Sequence, residues 1–279
     1  MIRDNGLGGR LWRMAVWAVV VVFILNLLAL IAVVVVDSFS TRWFGTWLPA
    51  GFTTHWYSDA WDEFQLTDIL VATFEVVGAV VLISGLLGVT AAYAMARREF
   101  PGKRAAMLVF LMPLLVPPLT YGIPLATLLY RVGLGGTLAG VILANLVPAI
   151  PFVILVMIPF IEQIDPRIEA AARVFGASTT SLFLRILAPL LLPGVLAALL
   201  LVLVRTIAMF ELTFLTSGPT SQTLVVALYY AVFASGVRAG QEVDVMAVVY
   251  MVTTLIWLLI ALRFVSPTQI VSRAKQQST

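Results

Sequence analysis

The sequence predicts an all-α integral membrane protein with about six transmembrane helices. Hydrophobic residues make up 61% of the 279 and charged residues 11%, and mean hydropathy is +1.05, far from the balance of a water-soluble domain. Six apolar stretches each approach or exceed the roughly 20 residues that cross hydrocarbon. The basic residues gather in alternate connections, as expected of a multi-pass chain.

The first stretch, Met14–Val36, has Asn26 as its one strongly polar member and follows Arg3, Arg10 and Arg13. A secretory leader has an apolar run of about 7–15 residues ending in small residues at a cleavage site. This run is longer and ends in Asp37-Ser38-Phe39-Ser40, so it reads as a retained helix. Further spans fit Ile69–Ala96, Ala105–Tyr130, Thr137–Ile161, Ala188–Thr216 and Val245–Phe264. Thr223–Gly236 is shorter and suits an interfacial or re-entrant helix. Pro113, Pro117, Pro118, Pro124, Pro148 and Pro151 fall inside predicted helices. Each frees a carbonyl that neighbouring helices or water must satisfy, which suits kinked helices around a pathway. Gly78, Gly85 and Gly88 suggest close helix contacts.

Orientation follows from charge. Six crossings put both termini on one side with the connections 97–104 and 162–187, and 13 of the 17 basic residues then share that side. The positive-inside rule makes it cytoplasmic. The expected organisation is a cytoplasmic N-terminus, 1–13, a transmembrane domain, 14–265, containing the cytoplasmic loop 162–187, and a cytoplasmic tail, 266–279. The opposite loops carry Arg42, Arg131 and Arg238 beside several carboxylates.

Composition also excludes chemistry. Cysteine is absent and His55 is the single histidine, so neither a thiolate site nor a histidine metal cluster is expected. No nucleic-acid footprint is visible, and no Gly-x-x-x-x-Gly-Lys-Ser/Thr phosphate cradle occurs, so any ATP hydrolysis is expected in a separate subunit and this chain is not expected to be an enzyme.

Glu75, Arg205 and Glu211 are the ionisable residues inside predicted spans. Such groups are costly in hydrocarbon and face a cavity or a partner. Glu75 and Glu211 lie at similar depths, where they would flank a cationic solute; the alternative is polar pairing with another membrane helix. Trp43, Trp47, Trp56 and Trp61 are concentrated in one outer loop with Phe44, Tyr57 and His55. They suit either an interfacial aromatic belt or a docking surface.

Residues 168–193 read IEAAARVFGASTTSLFLRILAPLLLP. The run to Phe175 has helical composition, Gly176 is a natural left-handed stop, and Ser178 or Thr179 can cap a second helix. Phe175, Leu182, Phe183 and Ile186 give this helix-turn-helix an apolar side that would seek a partner surface.

The segment resembles the EAA loop of permeases of binding-protein-dependent ABC importers, whose pattern is Glu-Ala-Ala, three residues, Gly, nine residues, Ile, any residue, Leu-Pro. Gly176, Ile186 and Pro189 fall in register. The three leading positions are Ala170, Ala171 and Ala172, Glu169 stands one residue early, and Ala188 replaces the leucine. The resemblance implies the type I ABC importer permease fold. It also implies a coupling role for this loop, carried by Glu169, Ala170, Ala171, Ala172, Arg173, Phe175, Gly176, Ile186 and Pro189. It implies a second permease, two ATPase subunits or a homodimer binding ATP and Mg, an extracytoplasmic binding protein docking near Trp43, Trp47, Trp56 and Trp61, and a bacterial inner-membrane location. Residues 38–58 and 214–228 look like the second permease of spermidine/putrescine-type importers, which implies a polyamine-like cation. A sugar-type importer permease and an ion-coupled secondary transporter are the alternatives.

Overall fold

The computed structural model describes residues 7–233 and 239–264. Expectations about residues 1–6 and the tail 266–279 lie outside them. The described elements are α1 (Leu7–Asp37), α2 (His55–Glu63), α3 (Leu66–Arg97), α4 (Lys103–Leu115), α5 (Pro118–Arg131), α6 (Leu138–Glu162), α7 (Pro166–Val174), α8 (Thr179–Ser181), a π-helical segment (Leu182–Leu187), α9 (Ala188–Ile207), α10 (Glu211–Thr216), α11 (Leu224–Phe233) and α12 (Gly240–Phe264). Among the described residues five helices are long and apolar enough to cross a membrane, and six if the bent pair α4 and α5 forms one span. A helix pairs its own backbone groups, which is what a chain this apolar needs in hydrocarbon.

The residues divide into two compact units, 1–64 with 231–249 and 65–230 with 250–279. In the first, the side chains of α1 are exposed from Leu11 to Val33. Beyond Asp37 the chain folds back on itself: Thr41 N–H donates to the Gly51 carbonyl at 2.9 Å, and Ala50 N–H to the Arg42 carbonyl at 3.0 Å. Trp56 Nε1 donates to the Ser40 carbonyl at 2.7 Å, and Phe39 stacks on Tyr57 at 4.8 Å between ring centroids.

In the second unit α3 packs against α6 and α9. Glycine permits the close approach: a Cβ on Gly88 would lie 2.6 Å from Val153 Cβ, and one on Gly85 2.7 Å from Leu199 Cδ2. Val76, Val80, Ile154, Met157, Leu187 and Ala198 belong to the core these three helices bury. Asn145 of α6, 2% exposed, donates to the Val141 carbonyl and at 3.2 Å to Thr213 Oγ1 of α10.

Two expected single spans are broken. Ala105–Tyr130 is α4 and α5, bent by 100°. Val116 is extended because it precedes a proline, and Pro118 begins the new helix where its missing N–H leaves no ladder bond unmade. Ala188–Thr216 is α9 and α10, with the helix interrupted at 208–210 and Met209 N–H turned to the Thr206 carbonyl. No proline or glycine stands at that break.

At the end of the unit away from α7, two connections lock together. Gly136, with φ +76, donates its N–H to the Thr216 carbonyl, while Ser221 Oγ donates to the Gly136 carbonyl and accepts from Gly218 N–H. α11 is described over ten residues, shorter than a span, and part of the expected interfacial or re-entrant stretch Thr223–Gly236 lies outside the described residues. Leu224 N–H donates to Thr73 Oγ1 of α3.

Candidate functional site

The helix-turn-helix expected at 168–193 is present. Asp165 caps α7 by accepting from Arg167 N–H at 2.9 Å, and Pro166 occupies the first turn. The helix stops at Gly176, φ +81, with two reverse bonds: Ala177 N–H to the Ala172 carbonyl and Gly176 N–H to the Arg173 carbonyl, each 3.0 Å. This is a Schellman stop, which needs a left-handed residue and takes glycine for that reason. Ser178 then caps α8 by accepting from Ser181 N–H. The next turns widen to a π-helix over Leu182–Leu187, just before Pro189 and Pro193. Pro189 has no N–H and its ring opposes the carbonyl four residues back, so a looser turn relieves both problems.

Which side chains face outward differs from the expectation. Of the four apolar residues read as a partner-seeking side, Leu182 is fully buried, and Phe183 and Ile186 pack on the core of their own unit. Phe175 alone projects, 90% exposed, with Val174 beside it at 85%. The expectation failed because the second helix packs back on its own unit, where Phe183 meets Tyr93 of α3 at 4.7 Å, and the loop sequence does not reveal that. Ala170, Ala171 and Arg173 are exposed, Ala172 is buried, and Gly176 and Pro189 are exposed.

Glu169 turns inward. Its Oε1 accepts from Arg97 Nε at 2.8 Å and its Oε2 from the Tyr93 hydroxyl at 2.6 Å, both on α3. Arg97 also donates to the Ile164 carbonyl at 2.6 Å, and the Tyr93 ring meets Phe183 edge-on at 4.7 Å. The carboxylate and guanidinium side chains are 11% and 12% exposed. At that burial the geometry must be good for the pair to offset desolvation, and three charge-assisted bonds supply it. Sequence reasoning assigned Arg97 to the general positive charge of the cytoplasmic side and passed over Tyr93. Their spacing of four residues, one helical turn, was the available signal.

Residues 84–276 match the family described as binding-protein-dependent transport system inner membrane component. The chain belongs to this family. Among its relatives, the melibiose/raffinose/stachyose import permease protein MelC of Bacillus subtilis is 30% identical over 156 residues, 56% of this chain. The match spans 55% of MelC, about half its length. A probable molybdenum ABC transporter permease protein of Haloferax volcanii is 30% identical over 210 residues, 72% of this chain and 75% of that one. The fold is that of a solved bacterial ABC transporter involved in the import of the acidic polysaccharide alginate, with a TM-score of 0.73, 18% identity and 99% of both chains covered.

The other ionisable candidate residues lie on α3, α9 and α10. Glu75 is exposed on α3 and forms no hydrogen bond or ion pair with the described residues. The Arg205 guanidinium lies 5.3 Å over the Phe152 ring, a cation–π contact between α9 and α6. Glu211 is half-buried at the start of α10, and the buried Tyr121 hydroxyl, without a hydrogen-bond partner, lies within the electrostatic reach of both Arg205 and Glu211. The space bounded by Asn145, Pro148, Arg205 and Thr206 is about 10 Å³, no more than one water needs. Of the outer tryptophans, Trp47 is 98% exposed, Trp61 is exposed, and Trp43 and Trp56 are half-buried with their indole N–H groups bonded to loop carbonyls. His55 pairs with Asp59 at 2.8 Å, a surface contact.

Proposed function

We propose that this chain is a permease subunit of an ATP-driven importer, pairing with a second permease to enclose a path for a small polar solute, while its 162–187 loop seats on separate ATPase subunits. The observation that carries this reading is the Val174–Phe175 knob. Val174 and Phe175, 85% and 90% exposed, stand farthest into the open, at a rigid helix stop, on a loop where Leu182 and Leu187 are buried and Phe183 and Ile186 pack inward; Ile168 and Leu184 are exposed to a lesser degree. Such a knob gains from a matching groove and gains nothing from water. Hydrolysis of ATP with Mg belongs to the subunit that offers the groove. An extracytoplasmic binding protein delivers the solute, and the exposed Trp47 and Trp61 are part of its docking face. The chain sits in a bacterial inner membrane with both termini cytoplasmic.

A path completed by a second permease matches the use of paired permeases implied by the family. For the solute, the sugar and molybdenum permeases among the relatives support a sugar or a small anion ahead of a polyamine-like cation.

The test is reconstitution of the purified complex into proteoliposomes with the binding protein outside and ATP enclosed. Uptake should require ATP and the ATPase subunit. Uptake driven by an ion gradient alone would refute the importer reading.

A further inference from the structure

We propose that Glu169, Arg97 and Tyr93 form a strut that carries movement of the α7 helix directly into α3, so that Glu169 is a positioning residue facing this chain and not the ATPase. The proposal rests on the reading of 162–187 as the ATPase seat and adds the route by which force leaves it.

The register of the loop gives the first argument. Successive helical residues differ by about 100° around the axis. Ala170, Ala171 and Arg173 are exposed on α7, while Glu169 and Ala172, three residues apart, are buried on one face. A carboxylate at 170 would stand on the exposed side; one residue earlier it is turned onto α3. The one-residue displacement seen in the sequence therefore changes which body the glutamate addresses.

The bonding gives the second argument. Glu169 is held through both oxygens by two residues one turn apart on α3, which fixes its orientation as well as its distance. Arg97 simultaneously grips the Ile164 carbonyl just before α7, and Tyr93 contacts Phe183 just after the turn. The chain on both sides of α7 is thus tied to the last turns of one membrane helix. Farther along, α3 is pressed against α6 at Gly88 and α9 at Gly85 without intervening side-chain bulk, so displacement of its end moves packed neighbours. Packed interfaces of this kind transmit small shifts because they do not deform continuously.

The experiment uses the complete complex, purified with its ATPase subunit and reconstituted, and compares Glu169→Gln, Tyr93→Phe and Phe175→Asp. Three quantities are read: retention of the ATPase subunit, ATP hydrolysis, and solute taken up per ATP hydrolysed. Glu169→Gln should retain the ATPase and hydrolyse ATP while uptake per ATP falls about tenfold, with a smaller fall for Tyr93→Phe. A merely structural role would lower assembly and leave the ratio of surviving complexes unchanged. An unchanged ratio in Glu169→Gln, or loss of the ATPase from that variant, would overturn the strut. If Glu169→Gln fails to accumulate, Tyr93→Phe decides, and an unchanged ratio there overturns it equally. Phe175→Asp separates the two readings: retention of the ATPase by that variant would defeat the docking assignment, whatever the ratio in Glu169→Gln.

Discussion

Gly88 of α3 and Val153 of α6 meet so closely that a Cβ on the glycine would lie 2.6 Å from the valine Cβ and 3.3 Å from the Ile150 carbonyl oxygen. Val153 is fully buried, so it has no free volume into which to retreat. Gly88→Ala should therefore destabilise the chain by about 1–3 kcal/mol through overpacking, and Val153→Ala should recover part of that loss in the double variant. Thermal unfolding of the purified protein in detergent checks both statements. Additive losses in the double variant would show that the two residues are not in contact.

Gly176 presents a different constraint. Nothing lies within 4 Å of a Cβ placed there, so the penalty of substitution is conformational and not steric crowding. Its φ of +81 is a conformation that β-branched residues resist. Gly176→Val should cost about 1–2 kcal/mol locally and redirect the Phe175 knob, while Gly176→Asn, which tolerates the left-handed region, should be milder. The complex should assemble in both cases. Binding-protein-stimulated ATP hydrolysis should be lost with valine and largely kept with asparagine.

Topology can be tested with single cysteines because the chain has none of its own. Ser58 and Ser178 are both exposed. An impermeant thiol reagent should label Ser58→Cys on intact cells and Ser178→Cys after permeabilisation alone. Labelling of Ser178→Cys from outside would invert the assignment of 162–187 to the cytoplasm.

Asn145 links α6 to α10 through Thr213 at 3.2 Å in a site where both residues are almost fully buried. Asn145→Leu should cost about 1–2 kcal/mol, since Thr213 keeps an unpaired hydroxyl in an apolar setting. The companion change Thr213→Val should offset much of it. The measurement is the unfolding midpoint of the two single variants and the double.

The course of the chain was legible where physics is local. Apolar runs of spanning length became helices because hydrocarbon leaves the backbone no other solution, and the glycine stop with its serine cap appeared at Gly176 and Ser178 as their chemistry requires. The breaks were less legible. Pro117 and Pro118 marked a kink, yet proline chemistry does not set a 100° bend, and the interruption at 208–210 has no sequence marker. The faces of the 168–193 loop were the least legible feature. Leu182, Phe183, Ile186 and Phe175 look alike in sequence, and their burial is decided by packing against helices distant along the chain. Glu169 likewise found its partners at Tyr93 and Arg97, more than 70 residues away.

The central claim is that the exposed end of α7 meets an ATPase subunit, and the most direct measurement is site-directed crosslinking at Phe175. In the cysteine-free chain, Phe175→Cys carries a photoactivatable maleimide in native membranes, with Leu108→Cys, an exposed residue of the membrane helix α4, as the control. The expected product is a crosslink from position 175 to a subunit that binds ATP, absent from the control. Crosslinking of position 175 to lipid alone, with the ATPase subunit present and active in the same membranes, would contradict the account.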